Sequence, residues 1–154
     1  MHEETSVTRW IQEIDVPTAL ISYTYRVLQK KFSKELARYR IGWGHFIILM
    51  ILYAEEGQSQ DGIAQSRGFD KTMIAKSVRK LEEMGLVVRT VDPADRRVKR
   101  LYLTGAGRAL CPEIRDIGRG IYRDLFYGFS CDESSRALEV LRKIALNAAD
   151  IDSE

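Results

Sequence analysis

Cysteine and histidine are both scarce in these 154 residues. Two cysteines, Cys111 and Cys131, are too few for a disulfide framework, so a reducing cytoplasm is the expected compartment. The only histidines, His2 and His45, neighbour neither cysteine, so no zinc-type spacing exists, and no metal or cofactor is expected. A membrane-length apolar run is absent too. The longest charge-free stretch, IGWGHFIILMILYA from Ile41 to Ala54, falls short of the ~20 residues needed to span a bilayer and reads as a central buried helix. The N-terminus, MHEETSVTRW, is acidic and has no apolar core segment, which argues against a secretory signal. There is no Gly-rich phosphate loop, nucleophile elbow or HExxH-like spacing, so no catalytic constellation supports an enzyme. What remains is an ordinary globular composition, 45% hydrophobic and 30% charged, and a length that suits a single domain, 1–154.

Net charge is only +2, but it is unevenly spread. Residues 58–103 hold ten Lys/Arg against six Asp/Glu, so the rest of the chain is net acidic. A basic segment carried on a neutral frame is the footprint of a polyanion-binding module.

The order of elements gives that segment a shape. Pro17 opens a helix predicted over 17–39, with Ile21, Tyr25, Leu28, Phe32, Leu36 and Tyr39 on one face and Leu20, Tyr23 and Val27 on a second. The central helix follows and ends at Glu55-Glu56-Gly57, with Gly57 as the expected C-cap. Ser59 can cap a short helix through Arg67, and Asp70 can cap the next, Lys71 to Met84, after the turn at Gly68. In that helix Ile74, Val78 and Leu81 form the inward stripe. Lys71, Thr72, Met73, Ala75, Lys76 and Arg79 face out. Leu86–Val91 and Val98–Leu103 read as strands joined by a turn at DPADRR, whose Asp92–Asp95 portion lacks apolar anchors. Thr104 caps a long helix that Pro112 is expected to kink or break early, 130–133 reads as a break, and a last helix over 133–149 leads to an acidic tail.

Two short helices joined by a tight turn and followed by a hairpin make a winged helix-turn-helix, in which the second helix enters the DNA major groove. The fold class expected is therefore mainly α with a small β-hairpin wing. The winged helix-turn-helix part is 41–103. The flanking segments, 1–40 and 104–154, carry more apolar surface than one small core can cover and are expected to be dimerisation helices. Arg96, Lys99 and Arg100 suit phosphates. Arg97 suits a narrow, electronegative minor groove, with Asp95 placed to hold its guanidinium.

The run GFDKTMIAKSVRKLEEMGLVVRTVDPADRRVKRLYLTGAGRAL resembles the MarR family of transcription regulators. Its most specific parts are the KLEEMGLV step, the DPADRR wing and the LYLTGAG exit. The resemblance implies a homodimer on pseudo-palindromic double-stranded DNA, acting as a repressor released by a small-molecule effector. It implies DNA contacts at Thr72, Met73, Lys76, Arg79, Asp95 and Arg97, to which the basic pattern adds Lys71. This chain departs from the family at Met73 and Ala75, where small hydroxyl residues are common. An effector pocket of the family type would involve Tyr23, Trp43 and His45, although aromatics at this spacing also serve as core. Cys111 and Cys131 read as inert small residues rather than redox sensors. The competing reading is a winged-helix protein–protein module, which tends to lose the basic helix face that Lys71, Lys76 and Arg79 preserve here.

Overall fold

The computed structural model describes residues 5–152; His2, the start of the acidic N-terminus and the end of the acidic tail lie outside the described residues. The chain divides into two compact units, with the boundary between Gly118 and Arg119.

The first unit opens with a helix absent from the sequence reading, α1 (Ser6–Glu13), capped by the Thr5 hydroxyl. Its Trp10 ring lies 5.8 Å from that of Tyr23 on α2 (Pro17–Leu36), which starts on Pro17 as expected. The anticipated last turn of α2 tightens into a 3-10 turn at Ala37–Tyr39, and Arg40 ends it in the left-handed conformation (φ 58°). Only the C-terminal part of the α2 apolar face is covered. Phe32 and Leu36 are buried, whereas Ile21 and Tyr25 are exposed.

Helix α3 (Trp43–Ala54) is central, with Ile48, Leu49 and Leu52 fully buried. Gly57 is not its C-cap. Glu55 holds that position, and the Gly57 N–H instead donates to the Leu101 carbonyl (2.9 Å), turning the chain into strand β1 (Gln58–Ser59). Helices α4 (Gln60–Arg67) and α5 (Lys71–Glu83) follow. The Ser59 hydroxyl accepts the Gly62 N–H at 3.0 Å and the Asp70 carboxylate accepts that of Met73 at 2.8 Å, as expected of N-caps. Between them Gly68 adopts φ 63°, a left-handed C-cap that a residue with a Cβ resists. Ile74, Val78 and Leu81 of α5 close over α3, and Ile63 of α4 is buried as fully, all with no exposed surface. Truncating any of these buried leucines or isoleucines to alanine costs ~2–5 kcal/mol. Gly44 lets α3 and α5 approach, since a Cβ there would sit 2.9 Å from the Ser77 hydroxyl.

Strands β2 (Val87–Val91) and β3 (Lys99–Leu103) form the wing. The sheet has three antiparallel strands rather than two, in the order β1-β3-β2, because β1 adds to the free edge of β3. At the foot of the wing, Thr104 donates its backbone N–H to Leu86 O (3.0 Å) and its hydroxyl to Gly85 O (2.7 Å). The same hydroxyl accepts the Gly107 N–H at 3.0 Å and so caps α6 (Gly105–Leu125). Glu56 adds a second tie, accepting the Leu103 N–H at 2.8 Å and Arg108 Nη2 at 3.1 Å. Helix α6 runs through Pro112 without the break in its first turns that was one of the two expected outcomes. Proline removes only one backbone donor, and the packing of Cys111 and Ile114, both buried, outweighs that loss.

The second unit holds the last turns of α6 and α7 (Cys131–Asp152). Here the sequence reading of a break at 130–133 was misplaced. Ser130 is an N-cap and Glu133 reaches back to its N–H at 2.8 Å, a capping box that starts the helix two residues earlier than expected. Tyr122, Phe126 and Phe129 pack in series, the first pair tilted and the second edge-on, with centroids 4.6 and 5.4 Å apart.

Candidate nucleic-acid interface

The outward face of α5 is as read from its periodicity, with one exception. Lys71, Thr72, Ala75, Lys76 and Arg79 are exposed, but Met73 is half-buried and takes a contact from the Ser77 hydroxyl (3.8 Å) beside Gly44. The missing Gly44 side chain leaves space for the thioether, so Met73 turns partly into the α3–α5 seam. Thr72 and Lys76 have no hydrogen-bond or ion-pair partner among the described residues. Arg79 pairs with Glu83 along the helix at 3.2 Å, and Lys71 with Asp61 of α4, also at 3.2 Å. These pairs are exposed and therefore weak, so both cations can exchange partners at small cost.

In the wing, Arg97 stands with 91% of its side chain exposed. Asp95 accepts its backbone N–H at 3.0 Å and its Nε and Nη2 at 3.2 Å each, as the sequence spacing implies. The guanidinium, ahead of the backbone N–H, holds the Asp95 carboxyl below its ordinary range. Arg96 and Lys99 are exposed at the tip and on the return strand. Between α5 and the wing lies a cleft of about 440 Å³ lined by Ser59, Gln60, Asp61, Lys71, Ala75, Arg89, Arg97, Val98 and Lys99. It gathers four cations, Lys71 of α5 and Arg89, Arg97 and Lys99 of the wing, around one groove. Such a surface attracts a polyanion.

Arg89 and Gln60 were not singled out in the sequence. Arg89 shares the inward face of β2 with Val87, is only part-exposed and meets Glu82 at 2.8 Å, so strand alternation gave no sign of it; Gln60 reaches the cleft only because β1 turns the chain there. Arg100, expected to face phosphate, keeps part of its side chain exposed while it bonds to groups of its own chain. Its Nε donates to Asp92 and its Nη1 to the Gly57 carbonyl at 2.8 Å. Asp92 is buried and also accepts the Ala94 N–H at 2.8 Å; that bond, then the Arg100 guanidinium, lowers its carboxyl below the usual range. The turn without apolar anchors is therefore anchored by a polar one.

The three effector-pocket residues have structural partners. Tyr23 packs on Trp10, and Trp43 lies edge-on to Phe32 (4.6 Å) and stacked on Phe46 (5.8 Å). The His45 Nδ1 accepts the Gly42 N–H at 2.9 Å at the start of α3. Burial, and then the charge of Lys80, pushes the His45 imidazole below its ordinary value. Cys111 is buried, with its Sγ directed at the Leu49 carbonyl, and burial raises the thiol to about 11, which keeps it protonated and unreactive. No group of three or more metal-ligating side chains occurs among the described residues.

Residues 41–99 match the MarR family model. The chain is 25% identical over 104 residues to the HTH-type transcriptional regulator YybA of Bacillus subtilis (strain 168), covering 68% of this chain and 69% of that one. It is 33% identical to a MarR transcriptional regulator from Methanosarcina mazei Go1, superposing with a TM-score of 0.81 over 87% of this chain and 96% of that chain. A MarR family transcriptional regulator from Listeria monocytogenes, solved with a 26mer DNA, shares the fold with a TM-score of 0.84 at 23% identity, over 89% and 91% of the two chains.

Proposed function

The chain belongs to the MarR family and is a DNA-binding transcriptional regulator; we propose that it acts as a homodimeric repressor of pseudo-palindromic sites, released by a small-molecule effector. The observation that carries the proposal is the juxtaposition of a bare, basic α5 face with an outstretched Arg97 across one cleft. In this reading Thr72 and Lys76, free of other partners, meet base edges, with Lys71, Met73 and Arg79 beside them on α5. Arg97, steadied by Asp95, enters the minor groove, while Arg96 and Lys99 meet phosphates. The Listeria relative was solved with DNA, which supports the same use of this fold. The alternative of a pure protein–protein module is disfavoured by the basic face. The relatives are transcriptional regulators, and we assign this chain the same role rather than catalysis.

The division of labour proposed is 41–103 for DNA and 1–40 with 104–154 for dimerisation. Its support is apolar surface exposed in the single chain. Leu138, Leu141 and Ile144 of α7 are exposed, as are Trp10, Ile21 and Tyr25 nearer the N-terminus. Two copies place two α5 helices on one duplex, which calls for a two-fold site. Tyr23, Trp43 and His45 remain the proposed neighbourhood of an effector. No helix among the described residues is long and apolar enough to cross a membrane. A regulator of DNA works where the DNA is, so the cytoplasm is proposed as its location.

The test is selection of bound duplexes from a random pool, followed by affinity measurements at two salt concentrations. A two-fold consensus bound by a particle of twice 17.7 kDa, with affinity falling steeply as salt rises, is the expected result. Full-affinity binding by a monomer removes the dimer. No enrichment of any sequence removes specific recognition.

A further inference from the structure

The structure assigns Arg100 to aiming the wing rather than touching DNA. With its Nε on the buried Asp92 and its Nη1 on the Gly57 carbonyl, one guanidinium bridges the start of the wing's turn and the loop that leaves α3. Backbone pairing of β1 with β3 holds the strand below this point, and among the described residues Arg100 is the side chain that carries the tie on to the turn. Among the described residues Arg97 itself is held only by Asp95, two residues away within the same turn. The Asp95 bond sets the rotamer of Arg97 but not the direction in which the turn points. That direction is set where Arg100, opposite Thr90 in the strand pair, reaches diagonally to Asp92 just below the tip. An arginine suits this task because its planar fork reaches two acceptors at once, whereas a lysine offers one point charge. Arg100 is thus a positioning residue acting through Arg97, and Asp92 is its partner.

The inference rests on DNA binding by the wing, and the experiment separates the two. Duplexes selected by the wild-type protein are prepared with A·T-rich or G·C-rich flanks and titrated with wild type, Arg100→Ala, Arg100→Lys and Asp92→Asn. A wild type that binds neither duplex defeats the underlying reading. Given wild-type binding, a positioning role predicts that Arg100→Ala loses roughly tenfold on the A·T-flanked duplex and less on the other. Arg100→Lys should fail to rescue. Asp92→Asn should reproduce the loss although it removes a negative charge near DNA, and the double variant should be no worse than either single one. Retained binding of the G·C-flanked duplex shows that each variant is folded. A phosphate contact predicts the opposite pattern: equal losses on both flanks, rescue by lysine, and Asp92→Asn binding as tightly as wild type or tighter. Any of those three results overturns the assignment.

Discussion

Asp95 and Arg97 form a closed ring of three hydrogen bonds within a single turn, 3.0 Å to the backbone and 3.2 Å to each of two guanidinium nitrogens. The ring leaves the arginine's outer edge facing solvent, so its charge is presented with part of its ordering entropy already lost. Arg97→Ala should cost about 1–3 kcal/mol of operator affinity where the flanks are A·T-rich, and less where they are G·C-rich. Arg97→Lys should recover little. Affinities of the three proteins on both flank types at fixed salt check this; equal losses on the two flanks would demote Arg97 to one more phosphate contact.

Thr72 and Lys76 are the α5 side chains with no competing partner among the described residues. Replacing either by alanine should cost about 1–3 kcal/mol on the preferred duplex and flatten the difference between it and a scrambled one. If both alanine variants keep the wild-type ratio of specific to non-specific affinity, α5 does not read bases with these side chains.

Gly107 lies so close to the Leu86 carbonyl that a Cβ at 107 would fall on its oxygen. The obstacle is backbone and is tied down by the Thr104 N–H, so it cannot swing aside. Gly107→Ala should destabilise the protein by about 2–3 kcal/mol, read as a lowered urea midpoint. Gly105→Ala is the control, since nothing lies within 4 Å of a Cβ there.

His45 accepts the Gly42 N–H through Nδ1, which only the neutral ring can do. Burial and Lys80 lower its folded value below the unfolded one, so its contribution is complete above about pH 6.5. It is lost as pH falls through the lower, folded value, because the unfolded chain then takes up the proton more readily. Thermal midpoints should therefore decline on acidification below that point. His45→Gln offers an acceptor at the same helix position that does not titrate, and it should flatten the decline. Parallel pH profiles for the two proteins would rule this out.

What the sequence made legible is what short-range chemistry determines. Ser59, Gly68 and Asp70 are read correctly because each cap is completed within a few residues. Lys71, Lys76 and Arg97 are found exposed because helix and hairpin periodicity sort faces without reference to the rest of the molecule. β1 escapes because two residues carry no alternation, and their partners, Arg100 and Leu101, are supplied by a distant strand. The part played by Arg100 escapes for the same reason, since its carbonyl acceptor on Gly57 lies far away in sequence. Met73 turned inward because of a gap left by Gly44 on another helix, which no local pattern records. The capping box at Ser130 is written in local residues, Ser130 and Glu133, but a polar, small-residue stretch has the same composition whether it interrupts a helix or begins one.

Ser59 belongs to two elements at once. It pairs with Arg100 in the sheet, and its hydroxyl caps the first turn of α4, with no spare residue between those duties. The helix pair and the wing are consequently joined as the two jaws of a fixed calliper, with no slack to absorb a change in their separation. A calliper measures distance as well as shape. The protein should therefore tolerate exchange of letters in a flank more readily than a shift of that flank by one base pair, ~3.4 Å along the duplex. Across the sites it recognises, the offset from the bases under α5 to the narrow groove under Arg97 becomes the invariant quantity.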